Sequence, residues 1–214
     1  MIDTGFAFTQ ESLAEKHLCK YGHKDFTPDQ QWAKYLDTMD KIPLDMHSHG
    51  THIVGIIDKN AGKSGYCFVI IKIFPRNTKE YNTVYSEEAL KYINNLKPDI
   101  VNYSAGGPDF DQTEYEQIEK YLDRGGIFVA AAGNNGQNLN MKNNTYYPAM
   151  YDDRIKVVGN LQRNGSQHPT SNYGRMVRYW EIGTDVRAFG MTGSGTSQAT
   201  AVETGKTVRE LKRR

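Results

Sequence analysis

Ile127-Phe128-Val129-Ala130-Ala131-Ala132-Gly133-Asn134-Asn135-Gly136 is an unbroken apolar run that stops abruptly in glycines and asparagines. A short run of this kind, ended by turn residues, reads as a strand buried on both faces. Just upstream, Glu114–Arg124 reads as a helix, opened by Thr113 with Glu116 as a capping box and closed by Gly125-Gly126. Before it, Asp99–Ser104 is a second strand, running out into Ala105-Gly106-Gly107. Ser86–Leu96 is an amphipathic helix with Ala89, Leu90, Ile93 and Leu96 on one face. Cys67–Phe74 and Ile155–Val158 complete the strands. Apolar strands alternating with helices predict a three-layer α/β/α sandwich around a mostly parallel sheet. No repeat or linker interrupts the pattern, so one domain is expected over residues 1–214.

The net charge is +1, with both signs well mixed, so neither nucleic acid nor an anionic membrane surface is an expected partner. The longest apolar run, Cys67–Phe74, is broken by Lys72 and is too short to span a bilayer. Asp3 follows Met1 almost at once, leaving no basic-then-apolar leader. Either the protein is cytoplasmic or otherwise intracellular, or a leader has been removed from a secreted mature form. Cys19 and Cys67 make no disulfide framework and are expected as free thiols, in keeping with a reducing compartment.

Residues from about 7 to 46 are polar, aromatic and charged, and read as a surface insertion. Within them Gln10–Lys20 is a helix candidate, and Pro28–Met39 a second with proline in its first turn. His17, Cys19 and His23 lie near one another, but zinc would need a further ligand and no CxxC or HExxH spacing supplies it. Gly62-Lys63-Ser64 and Gly205-Lys206-Thr207 lack the leading glycine of a phosphate loop, which would fall at Ile57 and Thr200.

Three segments carry chemistry. Ile2-Asp3-Thr4-Gly5 places a carboxylate at the end of a strand, where open parallel sheets gather their ligands. His47-Ser48-His49-Gly50-Thr51-His52 opens a helix that then turns apolar. Thr192-Gly193-Ser194-Gly195-Thr196-Ser197-Gln198-Ala199-Thr200-Ala201 leads glycines up to a serine in the first turn of a helix, beside unpaired N–H groups and the positive end of the dipole. Asp3, His49 and Ser197 together are what acyl transfer needs: a hydroxyl to attack, an imidazole to take its proton, and a carboxylate to orient the imidazole. Asn134 offers a side-chain amide to a developing oxyanion, and the Ser197 backbone N–H a second donor.

These residues resemble the subtilisin-like serine proteases, the subtilases of the peptidase S8 family. The match lies in Ile2-Asp3-Thr4-Gly5, Ser48-His49-Gly50-Thr51-His52, Ala131-Ala132-Gly133-Asn134 and Gly195-Thr196-Ser197, in the chain order Asp, His, Ser. Asn102-Tyr103-Ser104-Ala105-Gly106-Gly107 resembles the family's substrate-pairing strand, and Tyr147-Pro148-Ala149 and Ile155-Lys156-Val157-Val158-Gly159 its connecting segment. The resemblance implies a subtilisin-like fold and a serine endopeptidase with polypeptide substrates. It assigns Asp3, His49 and Ser197 as the triad, Asn134 to the oxyanion hole, and Ser104, Ala105, Gly106, Gly107, Ala131, Ala132 and Gly133 to substrate. His52 becomes structural. With small residues lining the pocket, a sizeable apolar or aromatic side chain is the expected guest.

The departures are specific. Only Met1 and Ile2 precede Asp3 where the resemblance implies a full strand, a compact member without prodomain is expected, and the insertion at 7–46 is not shared. Gln198 and Ala201 stand where the family carries a methionine and a proline, and the chain ends in Arg209-Glu210-Leu211-Lys212-Arg213-Arg214. No cofactor is expected: the loop from Ile57 to Cys67 is short, and Asp58 with Asn60 gives too few oxygens for the family's calcium. Trimmed termini would leave apolar surface for a second copy or a partner to cover. Two alternatives stand beside the protease: a catalytically idle relative that only binds peptide or a partner, and a metal-dependent hydrolase using the histidines.

Overall fold

The structure is a computed structural model that describes residues 1–7, 17–33, 42–63 and 65–211. Seven strands form a sheet in which every pairing is parallel: β1 (Ile2–Asp3), β2 (Lys24–Asp25), β3 (Ile71–Lys72), β4 (Ile100–Tyr103), β5 (Ile127–Ala131), β6 (Lys156–Leu161) and β7 (Val177–Ile182). They lie side by side in the order β2-β3-β1-β4-β5-β6-β7. From β1 the chain runs to the edge strand β2, returns through β3, and then builds outward from β4 on the other side, so β1 sits where the winding reverses. Open parallel sheets bind ligands at the carboxyl ends of strands on either side of such a reversal.

Side chains of β5 alternate between the two faces. Phe128 and Ala130 pack with Leu90 and Ile93 of α3 (Thr83–Leu96) and with Ile118 and Leu122 of α4 (Gln112–Asp123). Val129 packs instead with Ala199 of α5 (Thr196–Leu211). Beside it, α2 (His49–Ala61) buries Ile53, Val54, Ile56 and Ile57 against Phe68, Ile70 and Ala201. Helices thus cover both faces, giving the expected three-layer α/β/α sandwich. Lys156 of β6 anchors α5 through Glu203 at 2.5 Å, and Glu181 of β7 does so through Lys206 at 2.6 Å.

Several local expectations are corrected. In α4 the N-cap is Asp111, whose carboxylate accepts from Glu114 N at 2.7 Å, so the Thr113–Glu116 capping box does not form. Aspartate is the stronger cap, and its charge suits the helix's positive end. In α3 Asn82 plays that part for Val84 N, starting the helix earlier than Ser86. Of the strand expected at Cys67–Phe74 only Ile71–Lys72 joins the ladder, while Phe68 forms a lone bridge with Leu18.

The segment read as a surface insertion takes part in the sheet. It supplies β2 as an edge strand, and the reason lies in Lys72, which is buried at 1% exposure. A buried ammonium needs partners. The insertion provides Asp29 at 2.7 Å, Asp25 at 3.8 Å and the Leu44 carbonyl at 3.1 Å. The Leu18–Phe68 bridge also sets Cys19 beside Cys67, and the two form a disulfide rather than the free thiols expected. Of the Pro28–Met39 candidate, Pro28 and Asp29 form a turn, Gln30–Ala33 is helical as α1, and residues 34–39 lie outside the described residues. Of Gln10–Lys20, residues 10–16 are likewise outside, and Leu18 belongs to the bridge instead of a helix.

Candidate active site

Asp3 ends β1 with its side chain 2% exposed. Its Oδ1 accepts from Thr4 N at 2.7 Å and from His49 Nδ1 at 2.7 Å. The imidazole donates through Nδ1, so Nε2 is left as the basic nitrogen. Burial works against a charged His49, but the Asp3 charge, the Asp3 hydrogen bond and the more distant Asp45 charge outweigh it and raise its pKa above 6.5.

His49 is the first residue of α2, and an acidic hub fixes that helix end. Asp45 Oδ1 accepts from Thr4 Oγ1, His47 N and Ser48 N, and Oδ2 from Thr51 N and Thr51 Oγ1, all at 2.6–2.9 Å. Burial alone would raise the Asp45 pKa; the donors from Thr51, His47 and Thr4 lower it. The Thr4 hydroxyl also accepts from Gly50 N at 2.8 Å, tying the loop after Asp3 to the turn after His49. Only glycine fits at position 50, where a Cβ would lie 2.3 Å from the Gly5 carbonyl oxygen. Asp45 and Thr4 were not singled out from sequence. An Asp one turn before a helical histidine, with Ser48 and Thr51 nearby, was the available signal.

The other histidines near the site and in the insertion bond elsewhere. His52 is buried and donates from Nε2 to the Val186 carbonyl at 3.1 Å, and His47 Nε2 donates to the Pro75 carbonyl at 2.9 Å. Burial, against the bond to Val186, lowers the His52 pKa. Val186 belongs to a two-stranded antiparallel hairpin, β8 (Val186–Ala188) and β9 (Met191–Gly193), that leads into α5. The suggested His17–Cys19–His23 grouping is spent elsewhere. His17 pairs with Asp58 at 2.6 Å, Cys19 is in the disulfide, and His23 Nε2 donates to the Cys19 carbonyl at 2.7 Å. Among the described residues no group of three or more His, Cys, Asp or Glu side chains could hold a metal ion.

Across the switch point, Ser197 sits in the first turn of α5. That turn is locked to the loop after β5: Thr196 N and Oγ1 donate to Asn134 Oδ1 at 2.9 and 3.1 Å, and Gly133 N donates to Thr196 Oγ1 at 3.2 Å. With Oδ1 committed, the exposed Asn134 keeps its Nδ2 donors for another acceptor. The Ser197 hydroxyl donates to the Ser104 carbonyl at 3.0 Å. Ser104 Oγ in turn donates to the Ser197 carbonyl at 3.3 Å and accepts from Asn102 Nδ2 at 3.0 Å. The structure brings Asp3 and His49 into contact and gathers Ser104, Asn134 and Ser197 around the start of α5. The structure directs the serine proton to a backbone carbonyl and not to His49.

Of the expected substrate segment, Ala131 and Ala132 are buried at the end of β5, and Asn172 Nδ2 donates to the Ala132 carbonyl at 2.8 Å. Gly107 is not a free edge. Its N–H donates to the Tyr147 carbonyl at 2.9 Å, and Tyr147 N returns a bond at 2.7 Å. The space beside Gly106 and Gly133 is also taken. A Cβ at Gly106 would meet Tyr146 Cε1 at 2.6 Å, and one at Gly133 would meet Tyr146 Cε2 at 2.7 Å.

The profile of the subtilase family matches residues 1–211. The thermophilic serine proteinase of Bacillus sp. (strain AK1) is 29% identical over 93% of this chain and 48% of its own length. The major intracellular serine protease of Bacillus subtilis (strain 168) is 28% identical over 73% of this chain and 49% of its own length. The chain thus spans about half the length of these curated relatives. Among solved structures, a cold adapted subtilisin-like serine proteinase superposes with a TM-score of 0.80 at 21% identity, covering 100% of this chain and 74% of that one.

Proposed function

Because this chain belongs to the subtilase family, we propose that it is a serine endopeptidase acting through Asp3, His49 and Ser197. The observation that carries the reading is the 2.7 Å bond from His49 Nδ1 to a buried Asp3, which leaves Nε2 as a base whose pKa is raised above its ordinary value. On this reading the Ser197 hydroxyl leaves the Ser104 carbonyl and gives its proton to His49 Nε2 as Oγ bonds to the substrate carbonyl carbon. The oxyanion accepts from Asn134 Nδ2 and the Ser197 N–H. His49 then passes the proton to the departing amine nitrogen as the C–N bond breaks, and water releases the acyl group by the same route in reverse. These steps draw on the chain's own side chains, one backbone N–H and water, and call for no cofactor.

Polypeptide is the substrate, and the segment from Ser104 to Gly106 is where an extended chain would lie as an added strand. The names of the relatives, two of them intracellular proteases of Bacillus subtilis and Paenibacillus polymyxa, agree with this reading. No helix among the described residues is long and apolar enough to cross a membrane.

The test is to treat the protein with a fluorophosphonate and locate the adduct by mass spectrometry, alongside casein hydrolysis. An adduct on Ser197 and hydrolysis that both vanish in Ser197→Ala are expected. Peptide binding without adduct or hydrolysis would establish the idle, binding-only relative instead.

A further inference from the structure

We propose that Tyr146 closes the pocket next to the scissile bond, so that the enzyme accepts only small side chains there. This rests on the serine protease reading and deepens it. Two backbone segments flank the nucleophile. One carries Ser104, whose carbonyl accepts the Ser197 hydroxyl at 3.0 Å, and continues to Gly106. The other carries Gly133 and Asn134, bonded to Thr196. A substrate side chain entering beside Ser197 has the slot between these segments to occupy.

The Tyr146 ring stands in that slot. Its Cε1 and Cζ lie 2.6 and 2.9 Å from where a Cβ on Gly106 would be, and its Cε2 and Cδ2 lie 2.7 and 2.8 Å from one on Gly133. The two edges of one ring thus touch the two walls. At either position even a methyl group would collide with the ring, and also with the Tyr147 carbonyl oxygen at Gly106 or with Asn172 Nδ2 at Gly133, each 2.4 Å away.

The ring is held in place. It packs on the edge of the main hydrophobic core, and burial raises the pKa of its phenol. Its backbone N–H donates to Met150 Sδ at 3.3 Å, and Tyr147 is pinned to Gly107 by two hydrogen bonds. Moving the ring aside would uncover core surface and open space between the glycines, both of which cost free energy. The large apolar or aromatic guest expected from the small residues Ala105, Gly106, Gly107 and Ala131 would have to displace it. A methyl-sized guest would not.

The test compares two peptidyl phosphonates that differ only in bearing Ala or Phe next to phosphorus, read as second-order rates of Ser197 modification. The wild type is expected to favour the Ala reagent by about 10²-fold or more, since a single methylene in an apolar pocket is already worth about 10–200-fold. Tyr146→Ala should cut that ratio at least tenfold (~10) or invert it, and Tyr146→Phe should keep it. If Tyr146→Ala does not fold, Tyr146→Val and the wild-type ratio decide by the same criteria. Equal rates for the two reagents in the wild type, or an unchanged ratio in the enlarged pocket, would overturn the proposal while leaving the protease reading intact. Failure of a fluorophosphonate that carries no side chain would overturn both.

Discussion

The two halves of the site, on either side of the switch point, are in different states. Around β1 and α2, polar groups already point at one another as catalysis would need them: Asp3 holds His49, and Asp45 with Thr4 holds the helix end that carries it. Around β4, β5 and α5 the polar groups satisfy themselves. The Ser197 hydroxyl donates to the Ser104 carbonyl, Asn134 Oδ1 accepts from Thr196, and Gly107 pairs with Tyr147. The difference follows from desolvation. A carboxylate buried at 2% exposure requires donors at all times, so its half is assembled during folding. A half-buried hydroxyl bonds to the nearest carbonyl and can exchange it for a better partner at small net cost, since neutral hydrogen bonds differ by only about 1 kcal/mol.

The largest effects should come from residues that join the two halves. Ser197→Ala and His49→Ala are each expected to lower kcat by about 10⁶, with the double variant no worse, a magnitude taken from subtilisin itself. Additive losses in steady-state kinetics would mean that the halves work separately. The Cys19–Cys67 disulfide belongs to the preassembled half and closes a loop of sequence separation 48. By loop entropy it contributes up to about 4 kcal/mol. Cys19→Ser with Cys67→Ser should therefore lower the urea midpoint, and an unchanged midpoint would show that the insertion is held by its strand pairing and the Lys72 contacts without the disulfide.

Asn134→Ala tests the other half. Turnover should fall by about 10²–10³, again the value of such a donor in subtilisin. Stability should also fall by about 1 kcal/mol, because Thr196 N loses its cap. A stability loss without a turnover loss would leave Asn134 with only its structural bond. The smallest expected effect is a shift in pH dependence. Catalysis needs neutral His49, so kcat/KM should fall as pH drops through a pKa above 6.5. Asp45 raises that pKa, so Asp45→Asn should move the acid limb to lower pH. The same substitution removes stability that wild-type Asp45, with its depressed pKa, supplies above its ordinary 3.8 and loses as pH falls through the folded value. An acid limb that stays in place would mean that the Asp45 charge does not reach His49.

What the sequence disclosed, and what it hid, follow the same division. The helix–strand alternation from Ser86 to Ala132 was legible because apolar residues recur with the period of each element. Asp3, His49, Asn134 and Ser197 could be singled out because each stands in a short motif within two residues of a glycine. β2 was not, since Lys24–Asp25 carries no apolar pattern and is held by a buried lysine many residues away. β7 was missed although Val177-Arg178-Tyr179-Trp180-Glu181-Ile182 has strong strand formers, because its burial alternates imperfectly along an edge. The disulfide could not be read from two cysteines in unlike surroundings. Tyr146 escaped because contacts between a ring and two distant glycines leave no local trace.

The most direct test of the central claim, that His49 activates Ser197 across the switch point, is the pH dependence of fluorophosphonate labelling in wild type and His49→Ala. The wild-type rate should rise with deprotonation of a group whose pKa lies above 6.5, and the variant should label at a low rate with no such inflection. Labelling of Ser197 in His49→Ala at the wild-type rate, or a wild-type rate that ignores pH across that range, would contradict it.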